Sequence, residues 1–284
     1  MRIGLVLSGG MAKGAYQVGV LKALRTVFPP TAIDLISAAS IGVINGFAFA
    51  SDRLEAAEDV WKRVATNGRR PWITSLLGSD LLQEWIREIT GNGIPSLEGG
   101  AFFATLFHLG KRSVVYRNLR EIAPEQLPLY LRASVAMPVY NEAVTIDGER
   151  FFDGAMVDNI PLYPLTRYPP DVILCVHFEG ERCCFDSALD ERMLHITFSE
   201  ESVLARSVRF SEESTAHMLK TGYETAAANL NMVFGDDADP EQIYTRLQIL
   251  RQRRGKGERY LSGDMAVRNL NRLVQRLIRK KIID

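Results

Sequence analysis

The feature that most constrains this chain is a junction that occurs twice near its start. A short apolar run stops at a tight turn, and a helical pattern follows at once. The run IGLVL ends at Ser8-Gly9-Gly10, and after Gly14 the residues Val18, Leu21, Leu24 and Phe28 recur at helical spacing until Pro29-Pro30. IDLISAA is the second run; it meets Ser40, and residues 41–50 continue as a small-residue apolar helix. Strands joined through helices pair in parallel, because the crossover brings the chain back to the same end of the sheet. The pattern therefore predicts a three-layer α/β/α sandwich around a mostly parallel sheet. The sequence has 284 residues and shows no internal repeat or low-complexity stretch, so one domain over 1–284 is expected, with 240–284 as a basic helical extension.

Residues 52–123 read mainly as helix, with Val60/Val64 and Leu82/Trp85/Ile86/Ile89 as core-facing series. GGAFFATLFHLG (99–110) is apolar on nearly all sides and reads as a buried helix; it and helices within 72–90 are candidates for lining an apolar channel or for ordinary core. Strand signals return from 128 in LYLRASVAM, AVTI, RFF, DVILCVHF and MLHITF. Asp147-Gly148 between AVTI and RFF predicts a hairpin, since both central residues of that turn take positive φ. From 200 onward the pattern is helical.

Composition removes several classes. With 46% apolar and 24% charged residues the chain is neither disordered, collagenous nor coiled-coil. No run of about 18 uncharged apolar residues occurs, so no spanning helix is expected. MRIGLVL is too short for a signal peptide, and Cys175, Cys183 and Cys184 are an odd, clustered set that does not suit a disulfide framework; the expected location is the cytoplasm, with contact at a membrane periphery. Thirty-four basic against 34 acidic side chains give no net charge, and no nucleic-acid partner is expected. No Cys/His ligand spacing appears, so neither a metal nor an organic cofactor is expected.

Two segments carry chemistry. SGGMAKG (8–14) lies between strand and helix. A dinucleotide fingerprint would need glycine where Met11 stands, and a P-loop would need Gly-Lys-Ser/Thr at its end, where Gly14 is followed by Ala15. The loop is otherwise a plain tight turn, or a set of amides at a helix N-terminus aimed at a developing negative charge. Ala38-Ala39-Ser40-Ile41-Gly42 is a second strand-to-helix junction, with small residues two positions either side of the serine. Ser40 is either a helix N-cap or a nucleophile on a sharp elbow. A nucleophilic hydroxyl needs a base. His177 and His195 lie in apolar strand patterns, His108 in the apolar helix and His217 on a long helix. Asp153, where RFF ends in Asp-Gly, is the better candidate; Asp158 reads as a capping or loop-ordering residue.

These segments together resemble the patatin-like phospholipases. SGGMAKGAYQVGVLKAL looks like that family's oxyanion segment, SAASIGVINGFAFA like its nucleophile elbow, and RASVAMPVYNEAVTIDGERFFDGAMVDNIPLYPL like its dyad segment. The likeness is dense over roughly 3–50 and 131–165. It implies Ser40 as nucleophile, Asp153 as base, and Gly9, Gly10 and Met11 as oxyanion donors, with Lys13 at a position usually Arg or Lys and Gly14 closing the loop. Ala38 and Gly42 complete the elbow, and Gly154 and Ala155 follow the aspartate. Met11 and Ala38 stand where the family usually has glycine. The implied activity is hydrolysis of a phospholipid or lysophospholipid acyl ester without a cofactor. An acyltransferase or thioesterase on the same dyad, and a catalytically weak lipid-binding module, are the alternatives.

The C-terminal stretch hides a charge asymmetry. Residues 241–284 hold twelve Lys or Arg and four Asp or Glu, leaving 22 against 30 in the rest. Met265, Leu270, Leu273, Val274, Leu277 and Ile278 form an apolar stripe, and Arg268, Arg272, Arg276 and Lys280 recur every fourth residue on another face. Such a helix either packs on an acidic body or lies on an anionic lipid surface. In the second case, binding to anionic vesicles falls steeply from low to physiological salt. Neutralising the four basic residues together then abolishes binding while sparing hydrolysis of a short soluble ester. Salt-insensitive binding returns the stretch to the packed reading.

Overall fold

The computed structural model describes residues 1–10, 13–66, 80–90, 100–138, 141–178, 187–198, 211–235 and 238–254. Four parallel strands form its centre: β1 (Ile3–Leu7), flanked by β2 (Leu35–Ala39) and β7 (Val172–Phe178), with β8 (Met193–Phe198) beyond β7. Strands covered on both faces lose the polar alternation of a half-exposed strand. That is why IGLVL, LISAA and VILCVHF read as unbroken small or apolar runs.

On the other side of β2 lies β3 (Ala101–His108), also parallel to it. Here the structure corrects the sequence reading, which took 99–110 as a helix. A short run apolar on every side carries no period to separate helix from buried strand. In the sheet Phe102, Ala104 and Leu106 face the main core, while Phe103 and Phe107 pack on the other side. β4 (Ser113–Asn118) pairs antiparallel with β3, so the helical reading of 52–123 fails there too. The reverse error occurs at LYLRASVAM, which was expected to be a strand. Leu127–Ser134 is helix α5, with proline in its first turn and Leu127, Tyr130, Leu131 and Ser134 buried at helical spacing. The predicted hairpin is present as β5 (Val144–Ile146) and β6 (Glu149–Asp153), with Asp147 at φ 51° and Gly148 at φ 80°.

β3 organises the rest. One of its edges pairs with β4 along Phe103–His108. The other edge must therefore take both remaining partners: β2, which reaches Ala39 opposite Thr105, and β6, which ends with Asp153 opposite Leu106. β2 and β6 approach from opposite directions and stop head to head beside adjacent residues of one strand.

The helical layers are unequal. The large core is built by α1 (Gly14–Val27), α2 (Ile41–Ala50), α3 (Leu54–Thr66), α4 (Asp80–Thr90), α5 and α8 (Glu212–Phe234), with Ile243 and Leu247 of α9 (Pro240–Arg254). Trp61 and Trp85 meet edge to face at 5.4 Å within it, so the described part of 72–90 is core. The opposite face carries, among the described residues, the short helices α6 (Tyr163–Arg167) and α7 (Ser187–Asp190) with Ile160 and Leu165. No helix among the described residues is long and apolar enough to cross a membrane. α9 is the described part of the expected extension; Met11, Cys183, Cys184, Arg268, Arg272, Arg276 and Lys280 lie outside the described residues.

The hairpin offers a clean test, because a Cβ at Gly148 would meet nothing within 4 Å and only its positive φ resists substitution. Gly148→Asn should fold normally, whereas Gly148→Val should lose about 1–2 kcal/mol in chemical denaturation, the cost of left-handed backbone for a bulky residue. Equal stability of the two variants would show that the turn relaxes.

Candidate active site

Ser40 sits where β2 gives way to α2, at φ 52° and ψ −131°. That region is open to glycine and costs other residues on the order of 1–3 kcal/mol, so the surrounding packing must hold it. Gly42 is the reason the turn can be this tight: a Cβ there would lie 2.7 Å from the Leu7 carbonyl oxygen and 2.8 Å from that of Ser8. Ala38, buried in β2 between Leu7 and Ala104, fills the corresponding position on the strand side. The hydroxyl bears on the choice between cap and nucleophile. It makes no capping bond to α2, and it lies close enough to the Asp153 carboxylate to lower that group's pKa.

Asp153 is only 1% exposed. Its Oδ1 accepts from the Ala155 amide at 2.9 Å across the turn that Gly154 begins, and its own amide is held by the Ala136 carbonyl at 2.8 Å. Burial pushes the carboxyl up to about 7, and the nearby Ser40 hydroxyl and the Ala155 amide pull less strongly the other way. The group thus changes charge near neutral pH, where a general base is most useful. Asp158 orders the neighbouring loop, as expected: Tyr116 Oη donates to its Oδ2 at 2.5 Å. Burial raises the Asp158 carboxyl as well, against that bond and the Ile160 amide.

The glycine loop reaches this pair from β1. Gly9 is packed so closely that a Cβ would stand 2.9 Å from the Ser40 Cβ and 2.5 Å from Asn159 Oδ1. Its amide points at the Asn159 carbonyl, 3.4 Å away, and its own carbonyl accepts from Asn159 Nδ2 at 3.2 Å. Gly9 therefore ties the loop to the Asp153 segment. The Gly10 carbonyl receives the Lys13 amide at 3.0 Å, and Lys13 Nζ lies 4.5 Å from the centre of the Phe178 ring. Gly14 starts α1 against Trp61 and Ile41. Met11 is outside the described residues.

A buried polar chain supports the loop from behind. Gln17 Nε2 donates to the Ser8 carbonyl at 2.6 Å, Asn45 Nδ2 donates to Gln17 Oε1 and to the Gly14 carbonyl, and Trp61 Nε1 donates to Asn45 Oδ1. All these side chains are fully buried. Sequence reasoning passed over them, although one asparagine inside IGVINGFAFA was a usable signal: a polar residue amid an apolar helix has a buried partner to find.

The histidines have other neighbours. His108 closes β3, with Nδ1 accepting from the Lys111 amide and Nε2 at 3.1 Å from Glu149; His217 is half-buried on α8. His177 and His195 bond to each other across β7 and β8. Cys175 completes a cluster with them, which linear ligand spacing did not disclose.

A family model described as patatin-like phospholipase matches residues 5–166, more than half of the chain. Lysophospholipase nte1 of Aspergillus terreus is 29% identical over 192 residues, 61% of this chain but 12% of that protein. An uncharacterised NTE family protein of Mycobacterium tuberculosis is 26% identical over 188 residues, 63% of this chain and 49% of that one. The chain thus spans a small part of the first relative and about half of the second. Among solved structures, VipD from Legionella pneumophila aligns with a TM-score of 0.47 at 14% identity, covering 81% of this chain and 67% of that one.

One contact in the loop can be tested directly. A Cβ on Gly10 would lie 1.9 Å from the Phe178 ring. Gly10→Ala should cost about 1–3 kcal/mol by overpacking, and most of that should return in the Gly10→Ala, Phe178→Leu double variant. Strictly additive losses in denaturation would mean that the ring does not set the loop's position.

Proposed function

This chain belongs to the patatin-like phospholipase family, and from that premise we propose that it is a lipid acyl-ester hydrolase of the phospholipase A or lysophospholipase kind. Ser40 is the nucleophile and Asp153 the base. The observation that carries the reading is a serine in strained backbone whose hydroxyl makes no bond to the helix it precedes and lies beside a buried carboxylate whose pKa it lowers.

In the first half-reaction Ser40 Oγ attacks the ester carbonyl carbon as its proton passes to Asp153. The carbonyl oxygen becomes an oxyanion facing the residue 9–11 turn. Among the described residues Gly10 offers its amide there, since that of Gly9 points at Asn159. Collapse expels the alcohol portion of the lipid, which takes the proton from Asp153 and leaves an acyl ester on Ser40. Water then attacks that ester, gives its proton to Asp153, and releases the fatty acid as the proton returns to Ser40. Lysophospholipid is the substrate class suggested by the name of the Aspergillus relative, and the three ordered motifs support a carboxylic ester in general.

The pH dependence has a definite sign. Asp153 acts as base only when ionised, and its pKa is raised to about 7, so kcat/KM on a short soluble ester should fall about tenfold per pH unit below that value. Stability runs the other way. The folded state holds the proton more tightly than the unfolded chain, so folding loses stability as pH rises from about 4 to 7. Asp153→Asn should therefore lose activity by about a thousandfold or more while melting no lower than wild type at pH 8. Ser40→Ala should abolish both turnover and labelling by a fluorophosphonate with an unchanged fold. Full activity in Ser40→Ala, or a comparable loss in a His108, His177, His195 or His217 variant with folding intact, would overturn the dyad.

A further inference from the structure

Cys175 and His177 are two residues apart on β7, so their side chains leave the same face of the sheet. In the parallel pairing Cys175 stands opposite His195 of β8, which puts a thiol and two imidazoles side by side. Their donor atoms all lie within 4.8 Å of one another. His177 Nε2 and His195 Nδ1 face each other at 2.9 Å. Each ring is held at its other nitrogen: His195 Nε2 by Asp190 Oδ1 at 3.1 Å, and His177 Nδ1 by the Phe178 carbonyl at 3.3 Å. Asp190 is itself fixed through Oδ2 by Arg251 Nε of α9 at 2.7 Å.

We propose that Cys175, His177 and His195 form a binding site for a thiophilic divalent metal ion, zinc by its donor chemistry. One sulfur and two imidazole nitrogens are the ligands that zinc selects over the oxygen-seeking alkaline-earth ions. Tetrahedral zinc, with nitrogens at about 2.1 Å and sulfur at about 2.3 Å, needs these atoms roughly 3.3–3.6 Å apart. Small side-chain rotations achieve that from the observed spacing. The bond to Asp190 orients His195 so that Nδ1 presents its lone pair, the arrangement by which a carboxylate fixes a metal-bound histidine. Cys175 and His177 are buried and the His195 side chain is 9% exposed, giving a shielded site in which these three are the ligands among the described residues. The ion ties β7 to β8 and does not enter the Ser40–Asp153 chemistry, so the proposal stands whatever becomes of the hydrolase reading.

The test uses the full chain carrying Cys183→Ser and Cys184→Ser, in which Cys175 is the one remaining cysteine of the sequence. Zinc titrated by calorimetry should bind with one ion per chain and raise the melting temperature. Cobalt should give tetrahedral visible bands with a thiolate-to-metal charge-transfer band. Adding Cys175→Ser should remove that band and weaken zinc binding at least tenfold, and His195→Asn should weaken it equally. Asp190→Asn, which leaves all three ligands in place, should weaken it about 10- to 100-fold. Ser40→Ala should bind like the parent. Circular dichroism of each variant separates lost ligation from lost fold; if Cys175→Ser unfolds, His195→Asn and Asp190→Asn decide. Absence of stoichiometric zinc binding in the folded parent, or affinity unchanged by His195→Asn, would overturn the site and leave a purely structural hydrogen-bond relay.

Discussion

The site depends on the sharing of one strand edge. With β4 occupying the far side of β3, both β2 and β6 are confined to the near side, one running up to Thr105 and the other down to Leu106. Neither Ser40 nor Asp153 could be placed by its own segment, since each lies at the end of a strand aimed by the hydrogen bonds of a third. Backbone register is all-or-nothing at the level of single residues. The pair is therefore positioned by the stiffest kind of constraint a sheet offers, and side-chain packing has only to refine it.

Two unfavourable features are concentrated at that meeting point: a non-glycine residue in positive φ and a carboxylate with almost no access to water. Their neighbours make them tolerable. Gly42 lets helix and strand backbones close on Ser40, while the Ala155 amide partly replaces the water that Asp153 has lost and the nearby Ser40 hydroxyl eases its charge. The Gln17–Asn45–Trp61 chain secures the loop overhead without exposing it, because each polar atom it buries finds a partner. Backbone strain and a desolvated carboxylate found side by side are features that cluster at catalytic centres.

How much of this was legible in the sequence follows from where the information resides. Strand–turn–helix junctions and the Asp147-Gly148 turn are local, and they read correctly. Ser40 and Asp153 were both singled out because each lies at a recognisable strand end, and the sheet sets those two ends beside adjacent residues of β3. What did not read was β3: AFFATLFH is apolar on every face, so it resembles a buried helix until its partners are known, and the strand that brings the two residues together was missed. LYLRASVAM failed for the opposite reason, since its β-forming residues outweighed Pro128 at the start of a helix. The Cys175–His177–His195 cluster was equally hidden, as it exists only in the pairing of β7 with β8.

The separation between Ser40 and Asp153 has a consequence in time as well as in space. They lie 113 positions apart, and the register between them is set by β3, which comes after the first and before the second. Contacts of such long range close late, because the loop entropy must be overcome before they contribute anything. A chain emerging from the ribosome can complete the elbow, the glycine loop and the helices around them well before β6 is available. Until then the serine has no carboxylate and the carboxylate has no serine. A nascent or half-folded copy therefore holds the serine elbow without its carboxylate neighbour until β6 pairs with β3.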